Sequence, residues 1–195
     1  MRLSRRAFVL TGGASLAGCS KAFMGLSAQP AAPYPDGGAS RLRIALFEVD
    51  SLDFMLHSGL IIHTPEDRVL YDPGGYWADP RAVRRYDVTR GLSPELEESY
   101  LSRQSLVSGP DFWKLHLWET EVPDAVARQA VEIAEARTPY VFGGCSYGVT
   151  SLLRQLPGFE DIRVTFVPAE LAAQLRARND LRYSVRDLGA EAQEA

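Results

Sequence analysis

The apolar residues of this chain fall into two unlike regions, and their placement leaves room for one folded unit and no spanning helix. The first region is short: Arg5 and Arg6 precede an apolar run from Ala7 to Ala17. About 20 apolar residues are needed to cross a bilayer, so this run cannot span one. A basic start followed by a short apolar stretch ending in small residues has the anatomy of a secretory signal, and nothing after Leu26 is long or apolar enough to cross. From Ser20 to Ser40 the chain is rich in Ala, Pro, Gly and Ser and loses all hydrophobic period. This composition predicts a flexible tether over residues 20–40. Periodicity returns at Arg41, so the folded domain is expected over residues 41–188, with a frayed charged tail over 189–195.

Two short patterns refine the reading of residues 1–19. Ser4-Arg5-Arg6-Ala7-Phe8-Val9-Leu10 resembles the twin-arginine export signal, used by proteins that cross the inner membrane already folded. Leu16-Ala17-Gly18-Cys19 resembles a lipobox, in which the cysteine is diacylated and becomes the first mature residue. The resemblance implies a periplasmic lipoprotein whose partner is the membrane, held through lipidated Cys19, because several acyl chains anchor firmly. Ser20 follows the cysteine, and in lipoproteins a residue other than Asp there favours the outer membrane over the inner.

Charge narrows the function. The signal holds three of the 21 basic residues and none of the 25 acidic ones, which leaves the mature chain a net charge of −7. A nucleic-acid binder has the opposite balance. If Cys19 carries lipid, Cys145 is the only other thiol in the sequence. It then has no intramolecular disulfide partner, and a lone thiol in an oxidising compartment is a liability unless it is buried or used. Oligomeric state is not specified by the sequence.

Alternating or continuous apolar patterns predict strands at Arg41–Val49, Phe54–Ile62 and Arg68–Asp72, the last two joined by a turn at Thr64–Asp67. A polar loop is expected to run to Gly91. Ser93-Pro94-Glu95 opens a helix with a capping serine, proline at the first position and acids in the first turn. Phe112–Val122 reads as a strand, and Pro123-Asp124 begins a helix to about Arg137. A glycine turn then delivers Cys145 onto a helix ended by Pro157-Gly158. Arg163–Val167 reads as a strand, Pro168–Arg178 as a helix and Leu181–Val185 as an edge strand. Strands first and interspersed helices later indicate an α+β domain with helices packed on an antiparallel sheet.

Cys145 is the candidate nucleophile. A thiol at a helix N-terminus meets the positive end of the dipole and unpaired N–H groups, which favour thiolate and can bind an oxyanion. Gly143 and Gly144 allow close approach of a substrate, and Gly144, Ser146 and Tyr140 are expected at the oxyanion and substrate-approach positions. The three histidines, His57, His63 and His116, all precede Cys145. His57 lies in an apolar strand, where an imidazole needs a partner or a cleft; it is either a satisfied core histidine or the base. His63 beside a turn and His116 on a strand face are expected at the surface. Asp72 can orient the imidazole, with Tyr71 as the adjacent alternative facing the other way. His57 and His63 are about 20 Å apart along a strand, so no metal site and no cofactor are expected.

Pro139-Tyr140-Val141-Phe142-Gly143-Gly144-Cys145-Ser146 resembles the nucleophile region of NlpC-type cell-wall cysteine peptidases. No His follows Cys145, which excludes that family's usual order. His57-Ser58-Gly59-Leu60-Ile61-Ile62 before a late cysteine instead resembles the circularly permuted branch, which includes lecithin–retinol acyltransferase-like proteins. The resemblance covers about residues 44 to 156. It implies a permuted papain-like fold and a Cys–His hydrolase or acyltransferase acting on amide or ester bonds, with Cys145, His57 and Asp72 as catalytic residues. For a periplasmic lipoprotein the favoured substrate is a peptidoglycan stem peptide, with acyl groups second. The sequence departs from the pattern at Gly144, where the family often carries a polar residue. The competing reading is a non-catalytic envelope lipoprotein that uses the same cleft for binding.

Overall fold

The computed structural model describes residues 32–35, 37–49, 54–75, 77–102, 113–140 and 143–193. The expected lipidation at Cys19 and the export arginines Arg5 and Arg6 lie outside the described residues, as do Val141 and Phe142. No helix among the described residues is long and apolar enough to cross a membrane.

Seven strands form one antiparallel sheet: β1 (Arg41–Val49), β2 (Phe54–His63), β3 (Arg68–Tyr71), β4 (Val83–Arg85), β5 (Val88–Arg90), β6 (Trp113–Glu121) and β7 (Arg182–Asp187). Their spatial order is β4-β5-β3-β2-β1-β6-β7. Five helices complete the described chain: α1 (Pro94–Ser102), α2 (Asp124–Glu135), α3 (Cys145–Leu153), α4 (Pro168–Arg176) and α5 (Leu188–Gln193). The α+β class expected from the sequence is therefore observed.

The central strand β1 is apolar on both faces because both are covered. Leu42, Ile44 and Leu46 pack with α2, α3 and α4, through residues such as Val126, Val149 and Leu171. Ala45 and Phe47 pack on the other face with Leu96, Tyr100 and Leu101 of α1 and Leu188 of α5. β1 pairs β2 from Arg41↔His63 to Phe47↔His57, after which the register shifts so that Glu48 faces Met55. The extra residue is Leu56. Such a bulge re-aims side chains locally, and here it lies immediately before His57.

Several sequence expectations are corrected. The loop expected between β3 and Gly91 contains the hairpin β4–β5, joined by the two residues Tyr86-Asp87. Arg163–Val167 is not a strand. Its backbone is tied by side chains from two helices: Thr165 N–H donates to Thr150 Oγ1 at 3.2 Å, and Gln174 bonds both the N–H and the carbonyl of Arg163. The end of the expected tether is docked. Tyr34 N–H donates to Asp67 Oδ1 at 2.8 Å, the Arg68 guanidinium lies 5.5 Å from the Tyr34 ring centre, and buried Ser40 bonds Asp124. In the expected frayed tail, residues up to Gln193 form α5, started by Asp187, which accepts from Ala190 N–H at 3.0 Å.

His63 and His116 are buried rather than at the surface. His63 lies 3.5 Å from Glu97 under α1. His116 is held between Glu48, 2.7 Å from Nε2, and Tyr183, 2.8 Å from Nδ1. Both imidazoles find partners far away in the chain, which a strand pattern cannot display.

Glu97 is 4% exposed and accepts from Arg43 and from Arg68 Nη1, the latter at 2.8 Å. Removing the acceptor takes the Glu97 carboxylate away from buried Arg68 and from half-buried Arg43, which keeps its contact with Glu119 at 2.9 Å. Glu97→Ala is expected to lower unfolding free energy by about 3 kcal/mol, read from urea denaturation. Glu97→Asp, which keeps the charge, should lose less.

Candidate functional site

The site is assembled at the join of β2, the end of β3 and the start of α3. β3 stops at Tyr71, and Asp72 enters a turn with Gly75 N–H bonded to the Asp72 carbonyl at 3.1 Å. The strand alternation sends Tyr71 into the core shared with α2 and α3, and Asp72 toward His57. Of the two alternatives left open by the sequence, Asp72 is the one beside the imidazole: His57 Nε2 lies 2.6 Å from Asp72 Oδ1. That contact leaves Nδ1 for the thiol, and Cys145 and His57 are close enough for each to shift the other's ionisation. Cys145 is thus brought to His57 and Asp72 from a distant part of the chain.

Three further side chains complete the constellation, none singled out by the sequence reading. Ser58, on the strand face opposite His57, is close enough to Cys145 for its backbone N–H and hydroxyl to favour the thiolate. Tyr100 Oη donates to Asp72 Oδ1 at 3.3 Å, and Arg84 Nη1 donates to Asp72 Oδ2 at 3.0 Å. Asp72 is 1% exposed, so these donors stand where water otherwise would.

The electrostatics follow from burial and partners. Burial alone would raise the Asp72 carboxyl, but the charges and hydrogen bonds of His57 and Arg84 outweigh it and hold it below the ordinary carboxylate value. Burial would likewise depress the His57 imidazole; Asp72 first and Cys145 second reverse this and raise it to about 10. The Cys145 thiol would be pushed up by burial, and is instead brought down to about 7 by His57 and then Ser58. The resting pair is therefore disposed toward thiolate and imidazolium.

α3 contributes its N-terminus. Gly144 is its N-cap, and Gly148 N–H makes a helical bond to the Gly144 carbonyl at 2.8 Å. The N–H groups of the first turn before Gly148 have no intrahelical acceptor, at the helix end where Cys145 stands. Ser146 is placed differently from expectation. Its side chain is fully buried, 3.0 Å from Ser58 Oγ, so only its backbone can serve an oxyanion. Tyr140 packs against Gly144, its N–H donating to Asp87 Oδ2 at 2.7 Å.

Two glycines permit these approaches. A Cβ on Gly59 would stand 1.9 Å from the Tyr100 hydroxyl, and one on Gly148 would stand 2.6 Å from Pro73 Cβ. The first keeps the path open for Tyr100 to reach Asp72. The second lets α3 lie directly on the turn that carries Asp72.

A cavity of about 510 Å³ opens between the Met55 end of β2 and the start of α4. Phe166, Val167, Pro168 and Ala169 form its apolar wall, and Glu48 lies at its side. Phe166 stacks on Tyr147 of α3 with ring centres 4.6 Å apart, which joins this wall to the helix that carries Cys145. Phe166 is 62% exposed, and its neighbours Val164 and Val167 are exposed as well. No group of three or more metal-donor side chains converges among the described residues.

Comparison with protein families, curated proteins and solved structures returned no match.

Gly59→Ala is expected to destabilise by about 1–3 kcal/mol through overpacking, measured by thermal or urea unfolding. Removing the clashing hydroxyl in Gly59→Ala/Tyr100→Phe should recover part of that loss. Failure of the double variant to exceed the single one would mean that the glycine is required for some other reason.

Proposed function

We propose that this protein is a thiol-dependent hydrolase or acyltransferase acting on amide or ester bonds, with Cys145 as nucleophile, His57 as acid and base, and Asp72 as the group that orients His57. The observation that carries this reading is the convergence of a thiol lowered to about 7 with an imidazole that is itself 2.6 Å from a buried carboxylate. A nucleophile, a base and an orienting acid in sequence are the requirements of covalent acyl transfer. The permuted papain-like arrangement, proposed from the order His57, Asp72, Cys145, is compatible with a helix-borne thiol facing an antiparallel sheet.

In the reaction, Cys145 Sγ attacks the carbonyl carbon, and the oxygen takes up the negative charge beside the first-turn N–H groups of α3. As the tetrahedral adduct collapses, the carbon–leaving-group bond breaks, and the proton on His57 Nδ1 passes to the departing amine or alkoxide. The product is a thioester on Cys145. His57 Nδ1 then removes a proton from water, or from an acceptor hydroxyl or amine. The resulting nucleophile displaces sulfur and regenerates the thiolate, which the imidazolium again faces.

Two substrate classes fit this chemistry. A peptidoglycan stem peptide fits the expected envelope location. The cavity bounded by Met55, Phe166 and Val167, with Glu48 and Arg176 also in its lining, offers room for an apolar acyl group with a polar end.

Alkylation of Cys145 by iodoacetamide should rise through an inflection near pH 7, against about 8.5 for a free thiol. His57→Ala should move the inflection upward. In parallel, turnover of stem-peptide fragments and of acyl esters of increasing length should vanish in Cys145→Ser and in His57→Ala. An inflection at the free-thiol value in the wild type, with no turnover across both substrate sets, would return the protein to the non-catalytic binding reading.

We also propose that the chain is exported and held on a membrane through lipid on Cys19, a reading supported by Leu16-Ala17-Gly18-Cys19 and the arginine pair before it. Cys19→Ala should move the protein from the membrane to the soluble fraction on ultracentrifugation. A variant that stays membrane-bound, with the wild type unprocessed by mass spectrometry, would remove the lipid anchor.

A further inference from the structure

The hairpin β4–β5 makes an unusual set of contacts for two strands of three residues each. Arg84 Nη1 donates to Asp72 Oδ2 at 3.0 Å and to the Trp77 carbonyl at 2.9 Å. Nη2 donates to the carbonyls of Asp72 and Gly75, both at 3.1 Å, and Nε to the Tyr86 carbonyl at 2.7 Å. A guanidinium has five N–H donors in a rigid plane, and all five are used. Four of the bonds end on the turn from Asp72 to Trp77, one of them on the carboxylate itself.

The loop of the same hairpin reaches both halves of the site. The Asp87 carbonyl accepts from Asp72 N–H at 2.8 Å, and Asp87 Oδ2 accepts from Tyr140 N–H at 2.7 Å, five residues before Cys145. Tyr86, the residue between Arg85 and Asp87, has φ of 55°, a left-handed value rare outside glycine. Two-residue hairpin loops require such a backbone, and here it turns the Tyr86 carbonyl onto Arg84.

We propose that Arg84 is a positioning residue for the Cys145–His57 pair: through its five-bond fork it fixes the plane of the Asp72 carboxylate, so that Oδ1 stays aimed at His57 Nε2. This inference rests on the proposed reading of that pair as the reacting centre. Oδ1 receives His57 and Tyr100, and Oδ2 receives Arg84. Rotation of the carboxylate about its Cβ–Cγ bond would break all three contacts together. Without Arg84 nothing among the described contacts holds Oδ2, and only the Oδ1 contacts with His57 and Tyr100 still oppose rotation.

Positioning and simple electrostatics predict opposite signs. Arg84 is a cation near the imidazole. If charge were its whole contribution, removing it would favour imidazolium and leave Cys145 alkylation as fast or faster at neutral pH. If it positions Asp72, its removal loosens the carboxylate, weakens the imidazolium and raises the Cys145 inflection. Arg84→Gln is therefore expected to move the alkylation inflection about one pH unit upward from near 7, and to slow alkylation at pH 7 about fivefold. Arg84→Lys keeps the charge but offers three donors from one nitrogen. It should shift the inflection in the same direction by a smaller amount, whereas a charge-only role predicts wild-type behaviour. Should Arg84→Gln fail to fold, as judged by its melting curve, the inflection of Arg84→Lys alone separates the two roles. An inflection unchanged or lowered in the folded variants, beside a wild type that inflects near 7 and depends on His57, overturns the positioning role and leaves the Cys145–His57 reading standing. A wild type that inflects at the free-thiol value without dependence on His57 overturns both.

Discussion

The fold is organised around one buried carboxylate. Asp72 is 1% exposed, and an isolated charge in such a place costs several kcal/mol relative to water. Its charge is retained because imidazole, guanidinium and phenol groups replace that water: His57 from β2, Arg84 from β4 and Tyr100 from α1. Each of those elements is constrained by the delivery. β2 must carry glycine at position 59 because any side chain there would occupy the Tyr100 hydroxyl's place. α3 must carry glycine at 148 to lie on Pro73, the residue after Asp72. The hairpin β4–β5 must turn through a left-handed tyrosine. Chain segments far apart in sequence are thus held to a common geometry by the hydrogen-bond demand of one side chain.

The sheet supplies the second constraint. Because β1 and β2 are covered on both faces, neighbouring residues of one strand can act on opposite sides of the sheet. Ser58 meets α3 through Ser146 and Cys145, while His57 turns toward Phe47, whose ring centre lies 5.9 Å from the imidazole's. The thiol, at the first residue of α3, interacts with both. The bulge at Leu56 lets Met55 join the opposite core while His57 keeps its register with Phe47.

These constraints separate what is legible in the sequence from what is not. His57, Asp72 and Cys145 are legible because each breaks a local pattern: an imidazole in an apolar strand, an acid at a strand end, a thiol after two glycines. The sheet's central strands are legible because burial on both faces leaves long apolar runs. Arg84 is not. It sits in Val83-Arg84-Arg85, too short and too polar to show alternation, and its partners come from a turn seven or more residues earlier. The burial of His63 and His116 is hidden for a related reason: the acids beside them, Glu97 and Glu48, are 34 and 68 residues away. Arg163–Val167 has the β-branched composition of a strand, yet side chains of Thr150 and Gln174 take up its backbone groups in place of a neighbouring strand. Local pattern reports which groups need partners; it does not report which distant group meets the need.

The same arrangement bears on how one imidazole can serve as acid and then as base in the proposed reaction. His57 is raised to about 10 against the opposing effect of burial, with Asp72 the larger support and Cys145 the smaller. A group that basic holds its proton too firmly to release it readily to a leaving amine near neutral pH. Attack by Cys145 changes this. When the thiolate becomes a neutral thioether in the tetrahedral adduct, the part of the upward shift due to Cys145 disappears, while the burial that opposes it remains. The imidazolium becomes more acidic at the step where its proton is needed. Once the proton has left, a neutral imidazole faces the thioester, still oriented by Asp72 and available to deprotonate water. The departing sulfur restores the negative charge and with it the original basicity. Asp72 supplies a constant field and orientation, and Cys145 supplies the part that switches with the reaction. A carboxylate free to rotate would make the constant part variable, which is why the bonds that hold Asp72 in place matter as much as its charge.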